Sequence, residues 1–297
     1  MSVRVGVGLG VQTSSSPQRL AALVDCLEAL DFDSLWLSER VTSECPDALT
    51  ALAYAAGRTR RLKLGTSVTV LPGRNPMLLA KQLATLDNLS SGRLLLTFGL
   101  GVANKDEQQA FGVGRDERAP LFDEMLPLIR RLWAEDSVDH RGTWFAYEGA
   151  SVQPFPVQQP LQVWLGGVAQ SELSRCGRLG DGWLPSFVTP DDVKRGRSEI
   201  ESAAEHAGRK IDADHYGALV PYVRDEIPET LANFVRQRRP GVEPADVVAE
   251  GFAGLRARLE QFIMAGGSKF VVVPVTEPVN WDDHVAELAD TVHPLQT

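Results

Sequence analysis

Cysteine and histidine are scarce in this sequence, and neither residue type is clustered. The three cysteines, Cys26, Cys45 and Cys176, are odd in number and form no Cys-x-x-Cys pair. This disfavours a disulfide framework or a zinc ribbon and fits a reducing compartment. The five histidines have no HExxH or HxH spacing, so we expect no metal site. We expect these histidine side chains to be solvated at the surface.

Long hydrophobic runs and blocks of basic residues are also missing. No apolar stretch approaches the ~20 residues of a membrane span, and the amino terminus enters a strand pattern without an apolar signal core. The formal net charge is -9, which disfavours a surface that follows nucleic-acid phosphates. No P-loop or G-x-S-x-G elbow is present. We therefore expect a cytoplasmic protein that binds neither nucleic acid nor membrane.

What the sequence does contain is a regular alternation of about eight strand patterns with helix patterns, from 3–11 to the strand pattern 270–275 and the helix pattern 281–292. This alternation predicts parallel βαβ units. We predict an α/β fold, a (β/α)8 TIM barrel that forms one domain over residues 1–297. Insertions at the carboxyl face are expected near residues 137–162 and 225–250, where the pattern weakens. We expect these insertions to contact the substrate. A doubly wound open sheet is the alternative.

Residues 62–101 form a strand pattern, a helix pattern and a second strand pattern. The first apolar run is interrupted at 65–68 by Gly-Thr-Ser-Val, which indicates a bulge or a close backbone approach. Asn75 is placed to cap the helix, with Pro76 at its first position. The second strand ends in Gly99-Leu100-Gly101, where backbone can approach a ligand. In a barrel both features lie at the carboxyl face, where chemistry occurs. A hydroxyl such as that of Ser67 has a structural alternative, a bond to a neighbour.

Three further strand ends carry notable residues. Gly6-Val7-Gly8-Leu9-Gly10 departs from a dinucleotide fingerprint because Val11 stands where the third glycine belongs. We interpret it as a Gly-rich barrel strand, although Glu39 ends the second strand as a ribose-binding acid would. Gly166-Gly167 follow a later strand, where main-chain N–H groups and a helix N-terminus favour a phosphate. A simple tight turn is the alternative there.

The order of these motifs resembles the luciferase-like monooxygenase superfamily, most strongly its actinobacterial branch that uses the deazaflavin coenzyme F420. The matching stretches are SLWLSER at 34–40, LGTSV at 64–68, Asn75-Pro76, SGRL at 91–94, WLGG at 164–167 and LGDGW at 179–183. The resemblance implies a (β/α)8 barrel that passes hydride between coenzyme F420 and a small organic substrate. The alternatives are an FMN-dependent two-component monooxygenase and a non-catalytic flavin-binding protein. It also implies a homodimer, with the helices that begin near Asp47 and Pro76 as candidate interfaces. The alternative for the apolar faces of these helices is packing on the barrel.

The resemblance also implies a cofactor site. A cis peptide at Ser67–Val68 would lie behind the central ring, with the acid Glu39 beside it. Gly166, Gly167 and Val168 would form a phosphate-binding loop. The complete predicted cofactor set is Glu39, Ser67, Val68, Gly99, Gly101, Asn104, Gly166, Gly167 and Val168.

Arg40 is a departure from the family pattern, since several F420 enzymes place a proton-transferring histidine directly after the acid. Arginine cannot act as an acid near neutral pH, but it can hold an anion or stabilise developing negative charge. We therefore predict Glu39 and Arg40 as catalytic residues. The candidate proton donors are Glu39, Glu107, Tyr222 and solvent.

Overall fold

The structure is a computed structural model that describes residues 2–13, 16–102 and 104–297. Its strands are β1 (Arg4–Leu9), β2 (Ser34–Leu37), β3 (Lys63–Thr66), β4 (Thr69–Val70), β5 (Leu94–Gly99), β6 (Val138–Arg141), β7 (Ala146–Ala150), β8 (Val163–Leu165), β9 (Gly182–Trp183), β10 (Gly217–Val223), β11 (Ala249–Glu250) and β12 (Lys269–Pro274). Its α-helices are α1 (Pro17–Ala29), α2 (Ala48–Arg58), α3 (Pro76–Leu89), α4 (Lys105–Phe111), α5 (Arg118–Leu132), α6 (Gln170–Leu179), α7 (Pro190–His206), α8 (Glu229–Arg238), α9 (Pro244–Val247), α10 (Gly251–Met264) and α11 (Trp281–Val292).

The main sheet is parallel and curls until its two ends meet. Its strands lie in the order β11-β10-β12-β1-β2-β3-β5-β8-β9. Isolated parallel bridges then join Trp183 to Tyr216 and Ser186 to Leu219, which links the β9 end back to β10. The prediction of an α/β fold with a curled parallel sheet is confirmed. The alternative of a doubly wound sheet is wrong. Such a sheet is open, with its two edge strands apart, whereas here bridges connect the β9 end to β10.

The interior of the sheet is filled around Trp36, which is 2% exposed. A Cβ on Gly65 would lie 2.2 Å from the Trp36 ring, and one on Gly6 would lie 2.2 Å from Ser34 Oγ. The Trp36 indole N–H donates to that same Ser34 oxygen at 2.8 Å. The glycines of the first strand therefore serve close packing, as the barrel interpretation predicts.

The amino-terminal end of the sheet is held by a buried ionic cluster. Asp33 precedes β2 and accepts from Lys63 at 2.8 Å and from Lys269, the first residues of β3 and β12. Burial alone would raise the pKa of Asp33, but Lys269 and Lys63 hold it at about 2. Since one carboxylate ties three strands together, we assign this end of the sheet to stability.

The insertion at 137–162 lies on the outside of the barrel wall, not at the carboxyl face. Strands β6 and β7 form an antiparallel hairpin. Its turn packs on α5, where Glu124 accepts the N–H of Thr143 at 2.8 Å and of Phe145 at 3.0 Å. Further along, Asn88 of α3 donates to Phe155 O at 2.7 Å. The expected contact of this insertion with the substrate does not match the cavity at the carboxyl ends of the strands, since none of its described residues lines that cavity and its cited contacts are to α3 and α5.

Helix starts follow the predicted capping chemistry. Asn75 Oδ1 accepts the N–H of Leu78 at 3.0 Å, and Thr189 with Asp192 forms a capping box at the start of α7. These side chains satisfy main-chain N–H groups that a helix leaves unpaired. Across the described ranges no helix combines the length and the hydrophobicity needed to cross a membrane.

Candidate functional site

A cavity of about 600 Å³ opens where the parallel strands end. The predicted residues that line it are Glu39, Arg40, Ser67, Val68, Gly99, Gly101, Asn104, Gly166 and Gly167. Val168 is not among the lining residues. The segment 225–250 contributes Pro228, Thr230, Leu231, Phe234 and Arg238, whereas no described residue of 137–162 lines the cavity. The parallel arrangement brings these residues together, since the carboxyl ends of all strands face the same side.

The cavity floor consists of Ser67, Val68, Gly99 and Gly166. The peptide bond Ser67–Val68 is cis, as the family resemblance implies. This bond separates β3 from β4, so the single strand pattern 62–71 is two short strands. A Cβ on Gly99 would lie 2.6 Å from Val68 Cγ2, and one on Gly166 would lie 3.2 Å from Val68 Cγ1. The glycines at both strand ends therefore make room for the Val68 side chain.

Glu39 is buried beside this floor, with its side chain 6% exposed. Its carboxylate accepts the N–H of Val70 at 2.7 Å and a hydrogen bond from the Arg74 guanidinium. Burial raises the pKa of Glu39 above its ordinary value, while Arg74 and the Val70 N–H oppose the shift. Glu39 therefore keeps a proton more readily than an exposed glutamate. No sequence pattern indicated the role of Arg74, although this residue directly precedes the Asn75 cap.

Two of the proposed proton donors do not fit that role. Glu107 accepts the N–H and the hydroxyl of Thr42 at 3.0 and 2.7 Å and the N–H of Val41 at 3.3 Å. Burial would raise the pKa of Glu107, but these donors lower it. Tyr222 is absent from the cavity lining; its hydroxyl meets His284 Nε2 at 2.5 Å. Burial raises the pKa of Tyr222 well above its usual value.

His284 itself corrects an expectation, because it is buried rather than solvated. It is 8% exposed and packs between Tyr222, Phe252 and Trp281. Burial lowers the pKa of His284 to about 4. The imidazole is therefore neutral at pH 7, as its buried aromatic surroundings require.

Asn104 lines the cavity, and its side chain caps the amino-terminal end of α4. Its Oδ1 accepts the N–H of Asp106 at 2.8 Å and of Glu107 at 3.2 Å at the start of α4. This capping role explains the asparagine on structural grounds. It leaves the Asn104 amide group, not its carbonyl oxygen, for a ligand in the cavity.

The loop after β8 presents a carboxylate where a phosphate was expected. Glu172 Oε2 accepts the N–H of Val168 and of Ala169, both at 2.9 Å. A Cβ on Gly167 would lie 2.5 Å from that carboxylate, and Gly167 has φ +100°. The Gly167 carbonyl accepts the Trp183 indole N–H at 2.8 Å, which holds the loop in place. Glu172 was not among the predicted site residues; its position as the third residue of α6 was the available signal.

The fold and the cavity together define an α/β protein whose binding site lies at the carboxyl ends of a curled parallel sheet. The chain belongs to the luciferase-like monooxygenase family, whose sequence profile matches residues 1–269. The predicted family membership is thereby confirmed.

Individual relatives agree with this assignment. The chain is 31% identical over 202 residues to a putative coenzyme F420-dependent oxidoreductase of Mycobacterium tuberculosis, covering 63% of this chain and 56% of the relative. The chain thus spans about half the length of this curated relative. An F420-dependent secondary alcohol dehydrogenase in complex with an F420-acetone adduct superposes with TM-score 0.84 at 17% identity, covering 100% of both chains. A monooxygenase from Streptomyces bottropensis gives TM-score 0.80 at 23% identity, covering 98% of this chain and 99% of the other. These two structures support the fold.

Proposed function

We propose that this protein is an oxidoreductase that passes hydride between coenzyme F420 and a small organic substrate. The observation that carries the proposal is the cavity floor, where Val68 is seated between Gly99 and Gly166 with the buried acid Glu39 alongside. The relative from Mycobacterium tuberculosis, named for F420 dependence, supports the same cofactor.

The floor of the cavity fits a planar, largely apolar group such as the ring system of the coenzyme. Val68 and Phe98 supply apolar contact, and the glycines of the floor keep it free of bulk. The loop after β8 does not fit a phosphate as it stands, because Glu172 already accepts the N–H groups of Val168 and Ala169. A phosphate seated on this loop requires the Glu172 side chain to turn away. We therefore assign Val68, Gly99 and Gly166 to the ring and leave the phosphate contact to be tested.

The bound coenzyme would supply the hydride-transfer chemistry, and the protein would supply position, proton control and exclusion of water. Burial raises the pKa of Glu39 beside the floor, so its carboxyl group takes up a proton more readily than that of an exposed glutamate. Arg74 limits that shift and fixes the direction of the carboxylate. The apolar lining from Phe98, Phe111 and Phe122 keeps water from the reacting face. Glu39 is therefore our candidate for the acid or base of the reaction.

The proposal is tested by titrating the purified protein separately with coenzyme F420 and with FMN and following fluorescence quenching. We expect F420 to bind, and Val68→Trp to abolish binding because the larger ring fills the floor. Val157→Trp is the matched control, since Val157 is 56% exposed on the outer insertion. Circular dichroism of both variants shows whether they fold.

Three outcomes would contradict the proposal in different ways. Binding of FMN without F420 would favour the two-component monooxygenase. Binding of F420 without hydride transfer to any of a panel of ketones, aldehydes and alcohols would favour a flavin-binding protein without turnover. Binding of neither cofactor would remove the cofactor site altogether.

We further propose that the protein is a homodimer that pairs through α2 and α3. Leu78 and Leu89 lie on the same side of α3, eleven residues apart, and are 67% and 64% exposed; Tyr54 of the adjacent α2 is 42% exposed. Such exposed apolar side chains favour an interface. Light scattering of Leu78→Glu with Leu89→Glu should give a monomer. Met264→Glu, at an 88% exposed site on α10, should leave the dimer intact; an unchanged mass for the double variant would refute this interface.

A further inference from the structure

Some of the charged side chains that line the cavity have hydrogen-bond or ion-pair partners in the protein, and others do not. Its three glutamates all have partners: Glu39 pairs with Arg74, Glu107 accepts from Thr42, and Glu172 accepts from the loop after β8. No lining carboxylate among the described residues is thus left to attract a cation. The cavity is therefore not built for a positively charged ligand.

Two of the four arginines that line the cavity are also satisfied. Arg118 is buried and donates to Val102 O at 3.0 Å. Arg175 is buried and pairs with Asp123 at 2.5 Å. Both guanidiniums are held by the protein itself, so they form part of the wall.

The remaining two, Arg40 and Arg238, form what we call the guanidinium pair. Within the described part of the chain, neither side chain has a carboxylate or carbonyl acceptor among the hydrogen bonds and ion pairs. Arg40 lies three residues after β2 and Arg238 is the last residue of α8, so two distant segments bring like charges to one cavity. Burial lowers the pKa of Arg40; Glu107 opposes this shift, and the charge of Arg238 adds to it. Arg40 is half-buried and Arg238 is exposed. Two guanidiniums that line one cavity without a protein acceptor favour an anion as their partner.

The surface next to the guanidinium pair is aromatic. Phe187 and Phe234 meet edge to face, with ring centroids 5.5 Å apart, and both line the cavity. Phe234 lies one helical turn before Arg238 on α8. An anion bound by the pair would therefore carry its apolar body against these rings.

We propose that the cavity binds an oxyanion, a carboxylate on an apolar or aromatic body, between the guanidiniums of Arg40 and Arg238. This inference rests on the proposed function and names the substrate class for the same site. Guanidiniums bind carboxylates through paired, charge-assisted hydrogen bonds. The acidic tail of a deazaflavin coenzyme offers the same oxyanion chemistry, so the experiment must separate the two sources.

The test measures binding of benzoate and of its neutral analogue benzamide by isothermal titration calorimetry, with no cofactor added. We expect benzoate to bind at least about ten-fold more tightly than benzamide, because two charge-assisted contacts are made. Arg40→Gln and Arg238→Gln should each weaken benzoate binding by about ten-fold and leave benzamide binding unchanged. Arg236→Gln is the matched control on the same helix, since Arg236 is exposed and pairs with Glu229. It should leave benzoate binding unchanged.

A second arm identifies the source of the oxyanion. Titration of Arg238→Gln with coenzyme F420 should give the wild-type affinity if the pair serves the substrate. Loss of F420 affinity in this variant, with benzoate binding intact, would overturn the substrate assignment. Equal binding of benzoate and benzamide to the wild-type protein would overturn the anion site itself. Benzoate binding is measured without cofactor, so it does not depend on F420 binding. If F420 does not bind, the proposed function is refuted, whereas the result for the anion site is unaffected.

Discussion

Glu172 Oε2 accepts a hydrogen bond from the main-chain N–H of Val168, at 2.9 Å, in the loop where the sequence predicts a phosphate. The same oxygen accepts the N–H of Ala169. The protein thus places its own negative charge at a helix N-terminus, where such a charge is stabilising. A second anion at this place meets electrostatic repulsion.

Changing Glu172 to Gln removes that charge and keeps an oxygen for the two N–H groups. We expect F420 and FMN to bind about ten-fold more tightly, since the phosphate no longer faces a carboxylate. The free energy of unfolding should fall by no more than about 1 kcal/mol, because the cap is retained. Fluorescence titration and urea denaturation measure both. Glu205→Gln, on the exposed end of α7, is the control; equal or weaker cofactor affinity in E172Q would place the phosphate elsewhere.

Adding a methyl group at Gly99 should disturb the cavity floor. The new Cβ would lie 2.6 Å from Val68 Cγ2, so the Val68 side chain must move. We expect Gly99→Ala to lower F420 affinity by about ten-fold or more, which is about 1.4 kcal/mol. The double variant Gly99→Ala with Val68→Ala removes the clashing methyl groups and should recover part of the affinity. If the losses of F420 binding free energy in Gly99→Ala and in Val68→Ala simply add in the double variant, the contact between these residues does not shape the site.

Replacing Arg74 with Gln leaves Glu39 buried without its cation. The pKa of Glu39, already raised by burial, should then rise further, because Arg74 lowers it in the native protein. Arg74→Lys keeps the charge and should shift the pKa less. A carbon NMR titration of the Glu39 carboxyl, identified by its loss in Glu39→Gln, reads the pKa directly. Breaking this buried pair should also cost about 3–5 kcal/mol of stability; a Glu39 pKa that does not rise would mean that Arg74 is only structural.

The buried His284 predicts a loss of stability in mild acid. Its pKa is about 4 in the folded protein and about 6.5 in an unfolded chain. Between these values the unfolded chain binds more protons, so the free energy of unfolding falls as the pH decreases from 6.5 towards 4. Above pH 6.5 the contribution is fully present. The slope from this group reaches at most about 1.4 kcal/mol per pH unit.

Urea denaturation from pH 4 to 8 tests this, with His284→Gln as the variant. The difference between wild type and His284→Gln isolates the imidazole from the carboxylates that titrate in the same range. We expect the variant curve to be flatter between pH 4 and 6.5. His206→Gln, at an exposed site at the end of α7, should follow the wild type. Parallel curves for wild type and His284→Gln would show that His284 is not protonated differently in the two states.

Much of the site was predictable where it depends on neighbours in sequence. The interruption at Ser67-Val68, the glycines at the strand ends and the Asn75 cap are local patterns, and each lies where it was expected. The failures concern partners that are far apart in the chain. Glu39 meets Arg74 across 35 positions, and Tyr222 meets His284 across 62. No periodicity relates such residues, so sequence patterns alone could not assign Tyr222 to the outer side of its strand.

The expected position of the insertion at 137–162 did not match the structure for a related reason. A weak strand or helix periodicity indicates an irregular segment, but it does not indicate which surface of the protein that segment covers. Here Glu124 of α5 accepts three successive N–H groups of the hairpin turn, from Thr143 to Phe145, and fixes the segment outside the barrel. The segment 225–250, equally irregular in sequence, instead brings Phe234 and Arg238 to the cavity.

The alternation of strands and helices, the turns and caps between them, and the family can be read from the sequence, because these depend on residues close together in the chain. Which charges face the cavity depends on contacts between residues far apart in the chain. Curling the sheet brings Arg40 and Arg238, almost two hundred positions apart, to one cavity, while side-chain packing turns Glu107 and Glu172 towards main-chain N–H groups. Burial and proximity set the pKa of each acid and the partners of each arginine, and both arise when the ring of strands closes.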